Sequence, residues 1–180
     1  FEQALRRAQI PYKVSGGQSF FDRAEIKDLC AWLRLWINED DDPAFLRAVT
    51  VPKRGIGHQT LASLGEFAGK ARLSLFGALF AHSLPAALPA RAIAGLHEFG
   101  RLLNDLRHRA GHTTGHEAAR SFLADWLKDI GYEQHLHDSA DSAPQASARW
   151  QNVLEFCDWM AGRCGGQIED AAGVTLRQEP

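Results

Sequence analysis

Sulfur is scarce in this 180-residue sequence, which holds three cysteines and one methionine. Cys30, Cys157 and Cys164 are an odd number at spacings that match no zinc framework, which argues against a disulfide or Cys-ligated metal scaffold. Each lies in or beside an apolar helical stripe, so buried free thiols are expected. Long hydrophobic runs are lacking too. No stretch reaches the roughly 18 apolar residues of a membrane helix, and no basic segment leads into an apolar signal core. No membrane partner and a cytoplasmic location are the expectation. An excess of one charge is also missing, since 20 Lys and Arg stand against 22 Asp and Glu, a formal net charge of -2. Any nucleic-acid contact must therefore come from a local basic patch and not from the field of the whole molecule.

Catalytic signatures are absent as well. There is no Gly-x-x-x-x-Gly-Lys-Ser/Thr loop, no strand ending in paired acids for magnesium and no Gly-x-Ser-x-Gly elbow, so no active site is expected within these residues. His108, His112 and His116 recur at the four-residue spacing that can align metal ligands on a helix face. Gly111, Gly115 and a Thr-Thr pair interrupt that run, so it reads as a loop between helices, and no metal site is expected. Glu39, Asp40, Asp41 and Asp42 cluster at a helix start, where acids complement the dipole.

What the sequence does have is helical periodicity. Ile26, Leu29, Cys30, Leu33, Trp36 and Ile37 keep a helical period from about Arg23 to Ile37, with Asp22 as the expected cap. Asn38–Pro43 stops that helix and starts one through Ala44, Phe45, Leu46, Ala48 and Val49. Further helices are predicted around Leu61–Ala68, Ser74–Phe80, Ala90–Arg109 and Glu117–Ile130, the last stopped by Gly131. The small polar stretch Asp138–Ser147 reads as a mobile loop. A final helix is expected to turn Trp150, Val153, Leu154, Cys157, Met160 and Ala161 inward. Before all of these, Ile10–Gly17 reads as a short strand ending in a glycine turn. The fold class expected is all-α, an irregular multi-helix unit with a helix-hairpin-helix-like element and a strand stub at the N-terminus.

One segment carries chemistry. Pro52-Lys53-Arg54-Gly55-Ile56-Gly57-His58-Gln59-Thr60 is a Gly-x-Gly bend between two helical patterns, with two cations before it. The glycines allow positive φ and close backbone approach. A helix starting at about His58 would aim unpaired N–H groups and the positive end of its dipole over the bend, where Lys53 and Arg54 add mobile charge. Such a site suits a phosphate. A Gly-x-Gly turn between helices can equally be a plain connector.

Five ordered blocks then stand out: Ile10–Gly17, Phe20–Asp28, Trp32-Leu33-Arg34, Asp41–Arg47 and Pro52–Gly57. Together they closely resemble the Rep/UvrD-type superfamily 1 DNA helicases, most nearly the Rep branch. The resemblance implies that residues 1–17 are the end of motor subdomain 2A and its hinge, 18–166 the all-helical 2B subdomain, and 167–180 a tail leading back towards 2A. It implies an ATP-dependent 3′-to-5′ helicase acting in replication and repair, associated with the nucleoid, with ATP and magnesium bound by the parent and no cofactor in these residues. Carried over by position, the duplex-DNA candidates are Lys53, Arg54, Gly55, Ile56, Gly57 and Thr60. Gly16, Gly17, Phe20, Phe21, Arg23 and Glu25 are assigned to hinge and 2A packing, although Arg23, Glu25, Lys27 and Asp28 could also be helix-surface pairs or ligand contacts. Implied partners are duplex DNA at a single-strand/double-strand junction, subdomains 1A, 1B and 2A, and a second helicase copy. The alternative is an autoinhibitory protein-contact module that does not touch DNA.

Overall fold

Amphipathic periodicity resolves into eight α-helices and two 3-10 turns over residues 19–164, the part the computed structural model describes, with no strand among those residues. The strand expected at Ile10–Gly17, the hinge glycines Gly16 and Gly17, and the tail beyond Gly166 lie outside the described residues.

The central helix is α1 (Ala24–Ile37), whose Ile26, Leu29, Trp32 and Leu35 are fully buried. Asp22 is not its cap. It closes a 3-10 turn (Phe20–Asp22) by donating its N–H to the Ser19 carbonyl, and Arg23 takes the cap position. Helix α2 (Asp42–Thr50) is capped by Asp41, whose carboxylate accepts the Ala44 N–H at 3.0 Å, with Pro43 in the first turn. Through their side chains, three of the four acids of that run have partners beyond the helix cap. Asp42 accepts the Leu75 N–H at 2.8 Å, Arg34 pairs with Asp41 at 2.6 Å, and Glu39 pairs with Arg107.

Next come α3 (His58–Ala71), the short α4 (Leu75–Ala78), a 3-10 turn at Leu84–Ala86 and the long α5 (Ala90–Gly111). His108 and Gly111 belong to α5, so the histidine loop shrinks to residues 112–115, and no cluster of three metal-binding side chains forms among the described residues. Helix α6 (His116–Asp129) ends at Gly131, whose φ of +65° fits glycine, and the chain then starts a helix the periodicity did not reveal, α7 (Tyr132–Ser139). The expected 138–147 loop contracts to three residues, because Ser142 caps α8 (Ala143–Arg163) by accepting the Gln145 N–H. On α8, Val153, Cys157 and Ala161 are buried as expected, but Leu154 is 38% exposed and Phe156, which the reading left out, is buried. Cys157 is buried, and that burial raises its thiol pKa to about 12, whereas Cys164 is exposed, contrary to expectation.

Helix α1 packs against α2, α5 and α8, and α6 and α7 close over α8. The centre is aromatic. Trp32 lies 5.5 Å from Phe99 and 6.4 Å from Trp126, while Trp36 meets Trp126 at 4.7 Å and Phe122 at 5.4 Å. Edge-on and tilted rings of this kind add about 0.5–1.5 kcal/mol per pair beyond burial.

A polar seam crosses this interior. Asp28, 7% exposed, accepts from Arg47 Nε at 2.7 Å and from the Tyr132 hydroxyl at 2.8 Å. Glu25, 5% exposed, accepts from Asn152 Nδ2 at 2.8 Å, and Arg23 donates to the same asparagine's oxygen. Neither acid is on the helix surface. Both tie α1 to later helices, since a buried carboxylate is tolerated only when its oxygens are bonded.

Candidate nucleic-acid interface

The bend begins where α2 ends. Val51 and Pro52 are joined by a cis peptide bond, Pro52 is buried, and the Trp32 indole donates to the Val51 carbonyl at 3.3 Å. The next two residues part company. Lys53 is exposed, with no bonded partner among the described residues. Arg54 is not the mobile cation expected. Its guanidinium lies 5.0 Å over the Trp32 ring and 5.8 Å from Phe99, and donates to the Pro52 carbonyl at 2.6 Å. Delocalised and weakly hydrated, guanidinium tolerates such a site better than an ammonium would. Burial lowers its pKa to about 10, with Glu98 opposing the shift, so it stays charged at neutral pH.

Gly55 then turns the chain at φ +73°, where a side chain would be strained. Ile56 is half-buried against α5, within 3.7 Å of where a Cβ on Gly95 would stand. Gly57 is extended and caps α3 with no side-chain bond. The first α3 amide to find a carbonyl is Leu61, which donates to Gly57 at 3.2 Å. The N–H groups of Gly55, Ile56, Gly57, His58, Gln59 and Thr60 have no acceptor among the described residues, the last four because a helix start leaves four amides unpaired. Gly55, Gly57, His58 and Gln59 are exposed, and a Cβ at either glycine would meet nothing within 4 Å.

Beside the bend runs a groove of about 420 Å³ walled by Arg54, Gly55, Ile56 and Thr60 on one side and by Pro89, Arg91, Ala92 and Gly95 at the start of α5 on the other. The structure thus gathers Arg54, Gly55, Ile56 and Thr60 around one concavity, whereas Lys53 and Gly57 are exposed and do not line it. Sequence reading missed two neighbours. Arg91 comes from a distant helix, and its only sequence signal was a cation in a helix's first turn. His135 on α7 sits within electrostatic reach of Lys53 and Arg54. Burial chiefly lowers its pKa, the two cations add to that, and Asp28 and Asp138 oppose it.

The hinge candidates among the described residues lie elsewhere, against α8. Phe20 is in the core, Arg23 and Glu25 are bonded to Asn152, and Phe21 is 45% exposed, edge-on to Trp159 at 5.8 Å and Phe156 at 6.5 Å.

Comparison with known proteins agrees with the blocks read in the sequence. Residues 1–89 match the UvrD-like helicase C-terminal domain. The chain is 41% identical over 178 residues to the ATP-dependent DNA helicase Rep of Salmonella typhimurium, covering 99% of this chain and 26% of that protein. It is 33% identical over 155 residues to the ATP-dependent DNA helicase PcrA of Bacillus subtilis, covering 86% of this chain and 20% of that protein. With DNA helicase II of Escherichia coli the identity is 36% over 155 residues, 86% of this chain and 21% of that protein. The chain therefore spans about a quarter of the length of the relatives it matches most fully. Likeness along nearly all of its residues, on an all-helical body, places this chain in the Rep/UvrD-type family of superfamily 1 DNA helicases.

Proposed function

We propose that this chain is the 2B subdomain of an ATP-dependent 3′-to-5′ DNA helicase and that it holds duplex DNA at the single-strand/double-strand junction by its backbone phosphates. One observation carries the reading: a run of largely solvent-facing amides at residues 55–60, unbonded among the described residues, opening a helix beside the exposed ammonium of Lys53. Amides and a point charge suit phosphate oxygens, and they carry no information about base sequence. ATP hydrolysis with magnesium, and translocation, fall to motor subdomains 1A and 2A of the parent. The role of this unit is to hold the duplex while the motor pulls one strand, and to regulate the motor by swivelling between open and closed orientations.

A bend anchored from below supports that task. Arg54 stacks on the core aromatics and Ile56 packs beside Gly95, so the amides are held in place before any ligand arrives, which reduces the ordering cost of binding. No helix among the described residues is long and apolar enough to cross a membrane.

A second reading, contact with subdomain 2A or a second helicase copy, is favoured by the exposed Phe21 ring beside Trp159. Amide chemical-shift mapping with a short duplex separates the two. Shifts concentrated at residues 53–60 are the expected result. A map with no shifts there at low salt would withdraw the DNA reading and leave the protein-contact one.

A further inference from the structure

The groove beside the bend differs from its neighbour in charge. Arg54 forms part of the wall of both. The groove on the bend side contains Arg54 and Arg91 and no carboxylate. The adjoining one, about 290 Å³ between α5 and the end of α6, contains Glu98 and Asp129. In a chain of net charge -2, an acid-free concavity with two arginines is a local exception. Arg91 is exposed and, unlike Arg107 and Arg109 on the same helix, makes no ion pair or hydrogen bond among the described residues.

We infer that Arg91 is a second phosphate anchor, so that one strand of the duplex lies across the bend-side groove between Lys53 and the first turn of α5. This rests on the duplex-holding reading above and adds to it a residue and a path. Each cation that displaces a condensed counterion from the duplex contributes about 0.9 to the slope of log K against log salt. The carboxylates of the adjoining groove repel phosphate, which fixes the side of Arg54 on which the strand runs. A flexible arginine offers bidentate hydrogen bonding to phosphate oxygens, while Lys53 supplies a point charge.

Fluorescence anisotropy of a labelled duplex, titrated with the 180-residue chain at several salt concentrations, tests the inference on Lys53→Ala, Arg91→Ala, Arg91→Lys and Arg101→Ala. Arg101 is the control, an exposed cation about 15 Å further along the same helix. The expected result is binding about five- to tenfold weaker at about 0.1 M salt for Lys53→Ala and for Arg91→Ala, each with a slope smaller by about one. Arg91→Lys should keep the wild-type slope, and Arg101→Ala should match wild type. If Lys53→Ala weakens binding and Arg91→Ala does not, the Arg91 anchor is overturned while the duplex-holding reading stands. If neither variant differs from wild type, both fall. An Arg101→Ala effect equal to that of Arg91→Ala would mean diffuse attraction and would also overturn the anchor. Helical circular dichroism should be the same for all four variants, because none of these side chains is buried.

Discussion

Lys53 and Arg54 are adjacent cations with different surroundings, and the difference decides what each substitution measures. Lys53 is in solvent, so Lys53→Ala should change stability by no more than about 0.5 kcal/mol. Arg54 lies over Trp32 and Phe99 and bonds the Pro52 carbonyl, so its loss removes a partly desolvated cation–π stack and a hydrogen bond. Arg54→Ala should lower unfolding stability by about 2–3 kcal/mol, and Arg54→Lys should recover little of that, since an ammonium reproduces neither the planar stack nor its weak hydration. Urea midpoints of the three variants check this; a wild-type midpoint for Arg54→Ala would mean that the stack does not hold the bend. The Gly-x-Gly signal, its helix start and its cations were all legible in the sequence. That one cation turns inward was not, because it depends on Trp32 and Phe99, aromatics whose approach only tertiary packing sets. Arg91 was illegible for the same reason.

Among the helices, legibility followed the strength of the apolar period. The helices predicted at about Arg23–Ile37, Ala90–Arg109 and Glu117–Ile130 were read from long stripes, and their observed bounds differ by no more than two residues, within the usual uncertainty of helix ends. Helix α7 was missed because Tyr132 and Leu136 are its only buried residues, a single i,i+4 pair too short to register as a period. What α7 contributes is polar. Its Tyr132 hydroxyl donates to Asp28, and burial together with that carboxylate raises the phenol's pKa, keeping it a donor at every physiological pH. Asp28 also accepts from Arg47, so three helices meet on one carboxylate. Removing the tyrosine oxygen and removing the acid therefore have different costs. Tyr132→Phe deletes the bond to a charged acceptor that keeps its arginine, along with a longer contact to the Glu25 carbonyl, about 1–2 kcal/mol. Asp28→Ala takes the charged acceptor from a buried hydroxyl and a half-buried guanidinium, leaving each only a backbone carbonyl, of Glu25 and of Ala24, about 3 kcal/mol. Thermal unfolding of the two variants should reproduce that order, and equal losses would mean that Arg47 gains nothing from Asp28.

At the scale of the whole molecule, the sequence ends of the described body are tied together through its middle. Arg23 and Glu25, at the start of α1, both bond Asn152 of α8, and Trp32 and Trp36 of the same helix stack with Trp126 of α6. With α1 packed on α2, α5 and α8, none of those four helices can leave without exposing the shared aromatic centre. Such a body should unfold in one cooperative step. Tryptophan fluorescence, which reports chiefly on that centre, and far-ultraviolet circular dichroism, which reports on all the helices, should then give the same midpoint in urea. Asn152→Ala should move both midpoints together, by about 1–3 kcal/mol, since it strips a partner from a buried carboxylate. If the circular dichroism signal fell before the fluorescence, α3 and α4, which lie furthest from the tryptophan cluster in the packing order, would be a separately melting unit. The bend at 53–60 would then sit on a soft edge, whereas the proposed grip on a duplex needs those amides fixed to the same rigid body that the motor turns.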